Sequence, residues 1–233
     1  MMKQPLRQQP VSLEEFLKIT RGTRRTLKWI EDTGISFLPM EKPSPAENGK
    51  SQALEPVRLK ALSCRECRLC KERNSVVFGE GSLDAQLVFV GEGPGRDEDA
   101  QGRPFVGAAG ALLTKMIQAM GFKRESVYIA NVVKCRPPMN RVPEPDEISA
   151  CFPYLEAQLK IIRPKVICAL GKTAALALLQ MEAPLGQLRG KTFAWNDIPL
   201  IVTYHPAYLL RNPPAKAQVW EDLKRALNIL SPG

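Results

Sequence analysis

Histidine is nearly absent: the 233-residue chain carries one, His205. Chemistry that needs two imidazoles on one ion, such as an HExxH metalloprotease site, is thereby excluded. Long hydrophobic runs are missing as well. No apolar stretch approaches the ~20 residues that cross a bilayer, which excludes an integral membrane protein and a membrane partner. The first residues, MMKQPLRQQPVSLEEFLK, carry positive charge without a continuous apolar core, so no secretory signal is expected. Six cysteines without such a signal argue against a disulfide framework, because the cytosol keeps thiols reduced. Metal, iron–sulfur and catalytic-thiol roles stay open, and the expected location is cytoplasmic. Intact phosphate loops are also lacking. Gly171-Lys172-Thr173 would need glycine at position 166, where Val166 stands, and Gly190-Lys191-Thr192 would need it at 185, where Leu185 stands. Gly91-Glu92-Gly93-Pro94-Gly95 misses the last glycine of GxGxxG at Arg96, and Pro94 removes an N–H, so no dinucleotide site is expected.

What is abundant is positive charge. Lys and Arg number 33 against 24 Asp and Glu, a formal +9 with a sequence pI near 9.4. That balance suits a polyanionic partner, although a basic surface can serve solubility alone. A hydrophobic content of 44% fits a globular chain, and the length fits one domain with an appendage or two small ones.

Three regions are expected: an N-terminal helical extension over residues 1–40, a Pro/Ser-rich linker over 41–57 and a main domain over 58–230. In the last, Leu87–Val90, Val127–Ile129, Val166–Leu170 and Leu200–Thr203 are short β-branched runs of the kind buried on both faces of a parallel sheet. Helical patterns fall at about 108–120, 145–162, 172–181 and 215–230. The expected fold is α/β, an open sandwich with right-handed crossovers. Ligands of such sheets sit beyond the carboxyl ends of the strands. Glu92 follows the first strand, Asn131 follows the second and His205 follows the fourth, so the three are expected on one rim. The glycines around Glu92 would let a ligand approach the backbone, and Phe105 could stack on a base or simply fill core.

Cys64, Cys67 and Cys70 repeat a two-residue gap suited to gripping one metal centre. A bacterial ferredoxin run would place its fourth cysteine at Asn74, so a further ligand must come from Cys135 or Cys151. Zinc and iron–sulfur are not separated by spacing. Cys168, inside an apolar strand, reads as a buried small hydrophobe.

With these residues laid out, the chain from about 58 to 230 resembles the family 4 uracil-DNA glycosylases, the iron–sulfur branch of that superfamily. The ordered blocks VFVGEGPGRDEDAQGRPFVGAAGALL, VYIANVVKCRPPMNR, PKVICALGKTAA and TYHPAYLLRNP carry the likeness. The resemblance implies a three-layer α/β/α sandwich around a four-stranded parallel sheet and a [4Fe–4S] cluster on Cys64, Cys67, Cys135 and Cys151, leaving Cys70 over. It implies an enzyme that acts on uracil-containing DNA in base excision repair, flipping uracil out and hydrolysing its bond to deoxyribose; nothing in the sequence demands more than a monomer. Gly91, Gly93, Phe105, Asn131 and His205 would contact the base. Glu92, Asn131 and His205 would carry the catalysis, with Glu92 orienting water or stabilising the sugar cation. Leu209 would enter the minor groove and Arg211 would meet phosphate. A related covalent-trapping subgroup has a histidine in the loop that here reads RPPMNRVP, so turnover is expected. The rival reading, a non-catalytic, metal-stabilised nucleic-acid-binding protein, explains the charge and the cysteines but not the three residues on one rim.

Overall fold

The computed structural model describes residues 45–231; the expectations for residues 1–40 lie outside them. The strands are β1 (Glu80–Gly81), β2 (Leu87–Gly91), β3 (Tyr128–Asn131), β4 (Val166–Leu170), β5 (Thr192–Trp195) and β6 (Ile198–Thr203). The helices are α1 (Pro45–Leu62), α2 (Arg96–Gln101), α3 (Ala108–Ala119), α4 (Pro145–Ile162), α5 (Lys172–Leu179), α6 (Leu185–Leu188), α7 (Pro206–Arg211) and α8 (Lys216–Leu230).

One mixed sheet runs in the order β1-β3-β2-β4-β6-β5. Its centre, β3-β2-β4-β6, is parallel and comprises the four expected strands. Alternate residues of these strands feed two cores, as strands buried on both faces must. Val88, Val90, Ile167, Ala169 and Val202 pack with α1, α4 and α5. Leu87, Phe89, Cys168, Leu170 and Ile201 pack with α3 and α8. Cys168 is fully buried, as its apolar strand implied.

The expectation of a four-stranded sheet needs correction, because two antiparallel strands close the edges. β1 pairs through only two residues, too few for any period to register. β5 joins β6 across Asn196-Asp197, both at positive φ (45° and 65°), a two-residue hairpin loop; three of its four residues are not buried, so no apolar run marks it.

The linker expected over 41–57 is also corrected: from Pro45 onward it is helical. Leu54, Val57 and Ala61, at i, i+3 and i+7, form an apolar stripe in the first core, and this burial outweighs Pro56, which cannot donate a helical hydrogen bond. Lys50 Nζ fastens the helix, donating to the carbonyls of Leu83 and Ile162, each at 3.1 Å. Among the described residues no helix is long and apolar enough to cross a membrane.

Candidate active site

The carboxyl ends of the four parallel strands meet one cavity, lined by Glu92, Phe105, Asn131, Thr173, His205 and Arg211 among others. The expected convergence is therefore observed. Gly91 and Asn131 are register partners at the ends of β2 and β3. A β-carbon on Gly91 would overlap Asn131 Oδ1 and come within 2.6 Å of the Phe105 ring, so this close approach admits only glycine. Gly93 lines the cavity itself.

Asn131 is 1% exposed, and among the described residues its Oδ1 has no hydrogen-bond partner. An acceptor buried without a donor is costly, and one that borders a cavity is poised for a ligand's N–H. Phe105 holds a left-handed φ of 52°, strained for a residue with a β-carbon. The strain is supported from both sides. Gly110 lets α3 approach the Phe105 carbonyl closer than any side chain would allow. The Glu98 carboxylate accepts from Val106 N (2.9 Å), Gly107 N (3.0 Å) and Gly95 N (3.1 Å). Glu98 thus clamps the turn after Glu92 to the turn that presents Phe105.

His205 caps α7, its Nδ1 accepting from Ala207 N at 3.1 Å. An accepting Nδ1 bears no proton, so the neutral ring carries its proton on Nε2. Burial pushes the imidazole down to about 4; the Glu98 charge opposes the shift and Arg211 adds to it. The ring lies 5.5 Å from that of Phe105. Behind it, buried Asp222 of α8 accepts from Thr203 Oγ1 (2.7 Å) and Arg189 Nε (2.8 Å), bracing the end of β6. Thr173 Oγ1 donates to Glu92 Oε2 and fixes that carboxylate.

One expected site residue is misplaced. Leu209 is 1% exposed and belongs to the core shared with α3 and α8, so it cannot reach into a groove; Leu210 beside it is 48% exposed and Tyr208 lines the cavity. Along a helix, adjacent residues point about 100° apart, and a Leu-Leu pair does not disclose which one faces inward. Reasoning from sequence also missed Glu98 and Thr173. A carboxylate three residues after Gly95, at a helix start, was the available signal for Glu98.

A second cavity is lined by Cys64, Cys67, Cys70, Cys135 and Cys151, with Arg73, Lys134 and Tyr154. All are free thiols. Arg73 Nη1 donates to Cys135 Sγ at 3.0 Å and Lys134 N to Cys151 Sγ at 3.2 Å. Burial pushes the Cys151 thiol up to about 11, so a thiolate there calls for a strong counter-charge such as a metal centre. Among the described residues no three His, Cys, Asp or Glu side chains converge on one point that could hold a single ion. Lys134, buried at the wall of the cysteine cavity, donates through Nζ to Asn131 O (2.9 Å) and Gln158 Oε1 (2.6 Å).

A parallel-centred α/β sandwich with a carboxylate, an amide, an imidazole and a strained aromatic at the strand ends defines a class, and the comparison agrees: residues 78–224 match the model of the uracil DNA glycosylase superfamily. The chain is 45% identical over 182 residues to the type-4 uracil-DNA glycosylase of Sulfurisphaera tokodaii, covering 74% of this chain and 83% of that one. To the type-4 enzyme of Thermotoga maritima it is 45% identical over 185 residues, covering 78% and 96%. A type-5 uracil-DNA glycosylase of Thermus thermophilus matches over a shorter span, 36% over 118 residues, or 44% of this chain and 53% of that one. The chain belongs to the type-4 uracil-DNA glycosylases.

Proposed function

We propose that this protein excises uracil from DNA inside the cell, as a monomer, by hydrolysing the bond between base and deoxyribose and leaving an abasic site for repair. The observation that carries the reading is the unpartnered, buried Asn131 Oδ1 beside the Phe105 ring and a neutral His205. Uracil carries an N–H flanked by two carbonyls on one edge. Asn131 Oδ1 accepts from that N–H, where cytosine offers no donor, and a site built to pair a polar group rejects a base that leaves it unpaired. The Phe105 ring, held by Glu98, supplies the stacking face, and Gly91 and Gly93 let the base approach the backbone.

As the bond breaks, electrons collect on the uracil ring and positive charge on the sugar. His205 Nε2–H donates to the base oxygen where the negative charge grows; a neutral donor already in place stabilises that charge without reorganising. Glu92, oriented by Thr173, faces the cationic side, where it stabilises the sugar or directs the attacking water. Arg211 meets a phosphate. Expulsion of the base from a duplex costs a few kcal/mol, least at a mismatch.

Cys64, Cys67, Cys135 and Cys151 would hold a [4Fe–4S] cluster. The fit rests on thiols from two stretches of chain that line one cavity. The N–H donors of Arg73 and Lys134 suit sulfurs carrying cluster charge. When bound, the cluster would order the segments that carry these cysteines. Incubation with an oligonucleotide bearing one uracil, followed by alkali, tests the reading. Catalytic cleavage at that position, absent with thymine, is expected; salt-sensitive DNA binding without base release would favour a non-catalytic role.

A further inference from the structure

The mouth of the cavity carries a feature that the chemistry of base release does not use. Met139, in the 3₁₀ turn Pro138–Asn140, is 92% exposed and sits at φ 53°. Left-handed backbone disfavours a side chain, and a solvated methionine recovers nothing through burial, so neither property serves stability. The turn is nevertheless firmly mounted. Pro137 and Pro138 restrict its backbone, and Arg136 Nε donates to Asn140 Oδ1 at 2.7 Å. Arg141 grips the fully buried Glu147 through two bonds of 2.8 and 2.7 Å. Pro137, Asn140, Arg141 and Val142 line the cavity that holds Asn131 and His205, and Val142 is itself 60% exposed. A rigid, strained turn therefore holds an apolar side chain in water beside the entrance.

We propose that Met139 is a wedge that enters the base stack of duplex DNA next to the departing uracil and keeps the gap open. The proposal rests on the uracil-excision reading. Apolar side chains, methionine among them, unstack base steps when driven between them. A wedge must not yield when the stack closes, which the anchoring by Glu147 and the prolines provides. Single-stranded DNA has no paired stack to hold apart, so the device matters for duplex substrates.

The test compares single-turnover excision from a U·A duplex, a U·G duplex and single-stranded DNA. In Met139→Ala and Met139→Gly the duplex-to-single-strand ratio should fall about fivefold or more for U·A and less for U·G, where the base leaves more easily. Met139→Leu, which keeps apolar bulk, should hold the ratio within about twofold of wild type. Met139→Gly should melt no lower than wild type, because glycine tolerates the left-handed φ. An unchanged ratio in the Ala and Gly variants, or equal loss on both kinds of DNA, overturns the wedge. Wild-type protein inactive on every substrate would sink the excision reading, and the wedge with it.

Discussion

Asn131 keeps a carbonyl oxygen in the interior with no donor to meet it, a burden of about 1–3 kcal/mol in a folded protein. Removing that acceptor should cost little stability and much function. Asn131→Ala is expected to lower uracil excision by about 100-fold or more while the melting temperature moves by only a few degrees; single-turnover assays and thermal melts check both. His205 makes a second prediction at this scale. Its folded value, about 4, lies below the ordinary 6.5, so the unfolded chain binds the extra proton as pH falls. The histidine therefore favours the folded state fully above about pH 6.5 and loses that contribution between there and about pH 4, roughly 3 kcal/mol in all. Denaturant melts should show wild type losing stability relative to His205→Gln as pH drops through that window, because only the histidine takes up a proton on unfolding; parallel curves would refute the assignment. Glu92, Asn131 and His205 were legible from the chain because strand ends are set by apolar runs. Glu98 and Thr173 were not, since their partners are turn amides and a distant carboxylate whose positions depend on the finished packing.

Elements rather than single atoms explain why Phe105 tolerates its strain. The Glu98 carboxylate of α2 collects three backbone N–H groups from two turns. Glutamine has similar shape but only one accepting oxygen, so Glu98→Gln should reduce excision about tenfold with a modest drop in melting temperature. The same assay should find Thr173→Ser close to wild type and Thr173→Ala about tenfold slower, because only the serine keeps a donor for Glu92. The four central strands and the helices α3, α4, α5 and α8 were readable from periodicity. β1 and β5 were not, being edge strands with little buried surface; the turn residues Asn196-Asp197 were the overlooked signal for the second. The helix beginning at Pro45 was hidden by its prolines and polar residues, which read as linker until the stripe of Leu54, Val57 and Ala61 finds a core to cover.

Across the whole molecule, the cysteine cavity draws its walls from two stretches of chain, about residues 61–73 and 134–154. Arg68 reinforces their junction, its Nε lying 3.0 Å from the Glu147 carboxylate. Anaerobic iron chelation should release iron and acid-labile sulfide in equal amounts, bleach a brown protein and lower its melting temperature, since a centre bound only to the folded state stabilises it. A colourless protein with one zinc would replace the cluster with another metal. Overall charge acts at this scale too: with +9 on the full chain, DNA binding should weaken steeply as salt rises.

The two-walled cavity also bears on how the chain is made. During synthesis Cys64 and Cys67 leave the ribosome long before Cys151, and with the far wall not yet translated the cavity does not exist. A cluster delivered to the nascent chain would meet half a site; one delivered after release would close a loop of some eighty residues in a single step. If the four cysteines hold the proposed cluster, cofactor supply and chain completion are tied in time, and iron-starved cells should accumulate finished but colourless chains rather than truncated, partly loaded ones.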